Sequence, residues 1–141
     1  MAHEASRGQI AAAKGKFERA FIVEKVKAFQ ASYAAKDWQA RAALLSVDVI
    51  FEDTVGVPPP AIGREAAAAY FRLIIDAGWS IEMVPERIVV MGDEAFVVTR
   101  GAWSAGDEAP SRLILIHNFK FNRAGEISHV RIAYDEECLI D

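Results

Sequence analysis

Apolar residues recur at helical spacing early in the chain. Ile22, Val26, Phe29 and Tyr33 fall at i, i+4, i+7 and i+11, while Glu24, Lys25, Lys27 and Lys36 are left for solvent. This predicts a helix over about 19–35. Asp37 is placed to cap a short second helix carrying Trp38, Ala42 and Leu45, after which 47–52 turns extended. The run Gly56-Val57-Pro58-Pro59-Pro60 excludes helix and central strand, because proline fixes φ and removes backbone donors. It predicts a stiff surface loop. Over 64–77 strong helix formers carry Ala66, Tyr70, Leu73, Ile74 and Ala77, and Gly78 stands at the C-terminal stop. The composition then changes to β-branched and aromatic residues. Segments 79–90, 95–103, 112–121 and 126–134 are separated by Gly92-Asp93, Gly106-Asp107 and Ala124-Gly125, which predicts four long antiparallel strands. Helices first and hairpins afterwards define an α+β domain, with three N-terminal helices packed on one face of a curved, mostly antiparallel sheet. Residues 1–20 read as an extension, frayed or helical, ahead of a domain over 21–141.

Composition narrows the function classes. With 141 residues, 52% of them hydrophobic and 26% charged, the chain has material for one core and no need of a second domain. A formal charge of −4 argues against nucleic acid as a partner, since such binding draws its affinity from clustered Lys and Arg. Cys138 is the only cysteine and cannot form an intrachain disulfide. The first twenty residues lack a signal-peptide core, because Ile10-Ala11-Ala12-Ala13 is broken by Lys14, Gly15 and Lys16. No apolar run approaches the ~20 residues of a membrane span. The expectation is a cytoplasmic protein without a membrane partner. Asp135, Glu136, Glu137 and Asp141 read as a solvated acidic end. The histidines are His3, His117 and His129, and strand parity sets the last two on opposite faces, so no metal site is expected. Phosphate-cradling glycine loops are missing as well, and no cofactor is implied.

Two local motifs carry a resemblance. The first is Phe51-Glu52-Asp53-Thr54-Val55-Gly56-Val57-Pro58-Pro59, followed by Gly63-Arg64-Glu65 opening a helix; the second is His117-Asn118-Phe119-Lys120-Phe121-Asn122 with Gly125. Together with the order of elements they make the chain, from about Val23 to Tyr134, similar to bacterial ketosteroid isomerase and the SnoaL-like proteins. The resemblance implies the cone-shaped nuclear transport factor 2-like (cystatin-like) fold. It also implies a general base at Asp53 that moves a proton between carbons of an enone. In that family a tyrosine and a protonated aspartate donate to the developing enolate oxygen; the matching positions here are Phe29 and His117. The supporting tyrosines of some members fall at Leu45 and Phe71.

Strand alternation puts Leu113, Leu115, His117, Phe119 and Phe121 on one face, and Val130, Ile132 and Tyr134 on one face of the last strand. If these faces meet the helices, His117 and Tyr134 join Asp53 around an apolar pocket walled by Phe29, Tyr33, Phe71, Leu115, Phe119, Val130 and Ile132. Burial there raises a carboxyl pKa and lowers that of histidine, which suits proton shuttling near neutral pH. Three roles fit His117: oxyanion donor, second acid/base, or a structural histidine bonded to backbone. Tyr33, one turn beyond Phe29, is a candidate replacement donor. Arg100 reads as an outer-face residue rather than the arginine of an epoxide hydrolase site. The leading expectation is a proton-transfer enzyme on a small apolar or polycyclic substrate, with Asp53 as acid/base and His117 assisting. The alternatives are a non-catalytic small-ligand binder, or a polyketide cyclase, dehydratase or epoxide hydrolase relative. A homodimer through the outer sheet face is expected, since the strands carry more apolar surface than one helix layer covers.

Overall fold

The computed structural model describes residues 2–53 and 59–140, with Ala2 and Asp53 described by their backbone alone. The elements run α1 (Ala2–Ala12), α2 (Arg19–Ala34), α3 (Trp38–Ala43), β1 (Leu45–Asp53), β2 (Ala61–Ile62), α4 (Arg64–Asp76), β3 (Trp79–Met91), β4 (Glu94–Ala105), β5 (Ser111–Phe121) and β6 (Ile127–Ala133), and a 3₁₀ turn at Glu136–Cys138 closes the order. The strands form one sheet in the order β2-β1-β6-β5-β4-β3. All neighbours are antiparallel except β1 and β6, which run parallel. This is the expected α+β fold.

Local chemistry sets the element ends. Asp37 caps α3 by accepting from the Ala40 amide at 3.0 Å, and Gly78, at φ 87°, ends α4 in a conformation that favours glycine. Leu45 does not extend α3, as the spacing suggested; it opens β1 and is fully buried. Of the proline-rich loop, Pro59 and Pro60 are exposed, and the stretch through Pro58 lies outside the described residues.

Helices α2 and α4 pack on one face of the sheet, α2 across β3 and β4, and α4 against β1. Between the layers lie Ile22, Val26 and Phe29 of α2, Phe71 of α4, and Val97, Leu115, Phe119 and Val130 of the sheet, all buried. Alternation along β5 buries Leu113, Leu115, His117, Phe119 and Phe121, as expected. Edge strand β3 carries a bulge at Glu86, where pairing skips from Pro85↔Thr99 to Arg87↔Val98. Proline cannot donate to a ladder, and a bulged edge strand tolerates it while bending the sheet. The helix α1 is exposed throughout its described side chains. Its tether is the Gly92 amide, donating to Ala13 at 2.8 Å, followed by Asp93, which accepts from the amides of Lys16 and Phe17 at 3.1 Å each.

Candidate active site

The open end of the helix–sheet sandwich holds a cavity of about 220 Å³. Its described walls are aromatic on most sides. Tyr33 comes from α2, Phe51 from β1, Tyr70 and Ile74 from α4. The sheet adds Trp79, Ile81 and Met83 of β3, Trp103 of β4, Ile132 of β6, and Tyr134 just beyond it. All three tyrosines of the chain therefore meet at one cavity. Trp103 and Tyr134 pack with ring centroids 5.4 Å apart, and Phe51 and Tyr70 at 5.8 Å. Gly101 makes this wall possible: a Cβ there would lie 2.9 Å from Leu115 Cδ2 and 3.3 Å from both the Met83 sulfur and the Trp103 ring.

The sheet register places the remaining candidates. Asp53, at the end of β1, pairs with Ile132, which pairs with His117, which in turn pairs with Val97. Directly opposed residues share a face, so Asp53 occupies a row whose described members Ile132, His117 and Val97 are buried under the helices. Two strand spacings, roughly 10 Å, separate Asp53 from His117 in this row. Ile132 stands between them at the cavity wall.

His117 does not line the cavity. It is fully buried, and its Nδ1 accepts from Gln30 Nε2 at 3.0 Å, while the same amide donates to Thr99 Oγ1 at 2.9 Å. Thr99 Oγ1 in turn donates to the Val97 carbonyl at 3.3 Å. Accepting at Nδ1 leaves the ring proton on Nε2, which has no hydrogen-bond partner among the described residues. Burial, then the charge of Arg41, push the His117 pKa down to about 3. A lowered pKa favours the neutral imidazole, and burial away from the cavity speaks against the second acid/base role read from the sequence. Phe29, Phe71, Leu115, Phe119 and Val130, expected as pocket walls, form the core behind the cavity, with Phe29 meeting Phe119 at 5.5 Å and Phe71 at 6.1 Å. Tyr33, Ile132 and Tyr134 do line it.

Arg41 was missed. Its side chain is buried against three rings, with the guanidinium carbon 3.7 Å from the centroids of both Phe29 and Tyr33 and 4.6 Å from that of Phe71. Nη1 donates to the Phe29 carbonyl at 2.7 Å and to Ser32 Oγ at 3.2 Å. Burial pushes its pKa down to about 10, against the pull of Tyr33 and Tyr70, which favours the charged form. A signal existed, because Trp38, Arg41, Ala42 and Leu45 share one helical side and a cation on a core side is anomalous. Arg100 lies on the outer face, paired with the bulge residue Glu86 at 3.1 Å. His129 and Arg131 likewise meet Glu52 rather than the cavity. Among the described residues no cluster of His, Cys, Asp or Glu is placed to hold a metal, and no helix is long and apolar enough to cross a membrane.

A helix layer over a bent sheet, open at one end onto an aromatic cavity, is the ketosteroid isomerase-like, nuclear transport factor 2-like fold. The model of the SnoaL-like domain matches residues 26–130, and the chain belongs to that family. A search of curated proteins found no match. Among solved structures, an LEH-like epoxide hydrolase of M. tuberculosis is similar at 20% identity and TM-score 0.75, over 85% of this chain and 86% of that one. RV0760c of Mycobacterium tuberculosis, in complex with estradiol-17beta-hemisuccinate, is similar at 19% identity and TM-score 0.73, over 86% and 98%. A Catenulispora acidiphila protein with a ketosteroid isomerase-like fold, in complex with trimethylamine, is similar at 15% identity and TM-score 0.72, over 82% and 88%. At these identities the likeness is one of fold.

Proposed function

We propose that the chain is a proton-transfer enzyme acting on a small apolar substrate in the aromatic cavity, with Asp53 as its general acid/base. The observation that carries this reading is the register row: Asp53 sits beside the cavity-lining Ile132, in a row whose described members face the helices. General acid/base work at neutral pH calls for a carboxyl pKa raised by loss of solvation, which apolar surroundings supply. The small volume favours a substrate of one or two rings, since about 220 Å³ is below the roughly 300–1,000 Å³ typical of drug-sized ligands. The role assigned to His117 is support through Gln30, not proton transfer. The outer sheet face, with exposed Val84, Val89, Phe96 and Ile116, serves in this reading as a homodimer interface. A lone cysteine fits a cytoplasmic location.

One observation favours a non-catalytic ligand binder of the same fold: Phe29 and the neutral, core-bound His117 occupy the positions of the family's two oxyanion donors. Deuterium exchange at the α-carbon of 2-cyclohexenone, followed by NMR, separates the two readings. Exchange above the buffer rate that falls by about a hundredfold or more in Asp53→Asn supports the enzyme. Ligand binding with no exchange above buffer in the wild type supports the binder.

A further inference from the structure

Strand β1 runs along β6 to its end, but its other neighbour stops short. Among the described residues β2 pairs with Ile50 and Phe51 only, so Glu52 and Asp53 have β6 as their single partner strand. A strand tip with one ladder opens more easily than the middle of a sheet. At this tip, strand alternation sets two consecutive acidic residues on opposite faces. Asp53 falls on the face of the buried Phe51, whereas Glu52 falls on the outer face.

On that outer face one oxygen of Glu52 meets two cation-forming side chains of β6. Its Oε2 lies 2.5 Å from His129 Nε2 and 3.4 Å from Arg131 Nε. The register explains why they converge: Arg131 stands opposite Glu52, and His129, opposite Ile50, is the preceding β6 residue on the same face. The Glu52 and His129 side chains are only 30% and 24% exposed, so water competes little for the contact. As a source of stability, a pair that reaches the surface is worth little. Its consequence is geometric, because the residue it ties down is joined to Asp53 by one planar peptide. A misplacement of about 1 Å at a reacting group can cost on the order of a hundredfold in rate.

We propose that Glu52 is a positioning residue, which clamps the tip of β1 to β6 through His129 and Arg131 and so fixes the backbone that presents Asp53 at the border of the cavity. This rests on Asp53 being the acid/base of the proposed reaction. Glu52 is not among the described residues of the cavity wall, and it acts only through the residue that follows it.

Two readouts test the clamp, one of them independent of activity. The variants are Glu52→Ala, which removes the clamp, and Glu52→Gln, which keeps an acceptor oxygen in its place. Amide hydrogen exchange read by mass spectrometry should run about tenfold or more faster over 50–53 in Glu52→Ala, with β4 and β5 unchanged. In the 2-cyclohexenone assay the same variant should lose about tenfold or more in kcat while KM stays within about twofold, since positioning is lost and binding is not. Glu52→Gln should recover most of both. If Glu52→Ala fails to fold by circular dichroism, His129→Leu and Arg131→Met, which remove the two donors in turn, decide by the same readouts. Unchanged amide exchange over 50–53, a fall in kcat without faster amide exchange, or a change in KM alone overturns the inference. Asp53→Asn separates the clamp from the catalytic reading, because that variant should lose α-carbon exchange and keep the amide protection of wild type. A wild type without α-carbon exchange would sink the catalytic reading, and the amide readout would still decide whether Glu52 holds the tip.

Discussion

His117 and Arg41 show how one buried side chain sets the chemistry of its surroundings, and the first leads to a measurable effect. A histidine held neutral in the fold, with its pKa near 3, binds a proton more readily once the chain unfolds and the pKa returns to about 6.5. The unfolded state therefore gains a proton first as pH falls, so the stability this group contributes is complete above about pH 6.5 and is lost on the way down toward pH 3. Urea unfolding should show a loss of up to roughly 1.4 kcal/mol per pH unit from this one site below pH 6, and His117→Gln should flatten the slope by about that amount. An unchanged slope in the variant would mean that His117 titrates alike in the folded and unfolded chain. The local pattern located His117 on the inner face but not Gln30 as its partner, because the two are 87 residues apart and only packing brings α2 onto β5. Arg41 was harder to anticipate, since its partners are a carbonyl, a hydroxyl and three ring faces, none of which leaves a charge pattern in sequence. The second motif marked the fold through Phe119 and Phe121, whereas Trp79 and Trp103, which belong to neither motif, line the cavity.

At the scale of elements, the positions of α2, α4 and β3 to β6 were legible because α2 carries a helical period, α4 stops at Gly78, and the strands are parted by Gly92-Asp93, Gly106-Asp107 and Ala124-Gly125. Two features were not. The parallel partnership of β1 with β6, and the two-residue β2, depend on pairing between distant segments, and local periodicity is silent on which strands become neighbours. That partnership gives Asp53 its place in the row, so the candidate base was found from a motif and its surroundings only from the fold. Two substitutions test how the elements hold the site. Asp37→Ala removes the described cap of α3 and should cost about 1 kcal/mol, read as a shift in the urea midpoint without a change in slope. Gly101→Ala pushes a methyl group against Leu115, Met83 and Trp103; a destabilisation of about 1–3 kcal/mol is expected, together with weaker ligand binding. Full stability with unaltered binding would show that the cavity wall yields without strain.

For the whole molecule, the proposed dimer rests on the outer sheet face. Val84, Val89, Phe96 and Ile116 leave an apolar face with charge at Arg100 and Glu86. Sedimentation of the wild type at micromolar concentration should show a dimer, and Phe96→Lys should shift it to monomer while leaving the fold intact; a monomeric wild type would remove the proposed interface. The same face raises the question of what stops association after two copies. The sheet ends on β3, thirteen residues of open ladder, a template on which further strands could add without limit. The bulge at Pro85 and Glu86 interrupts the regular ladder near its middle, at a residue that has no backbone donor. Association by faces can close on itself, while growth by edges meets a break in the ladder. Removing Glu86 and replacing Pro85 by valine would restore a continuous edge, and the bulge would then be recognised by its loss, as filaments or precipitate from a protein whose cavity and core are unchanged.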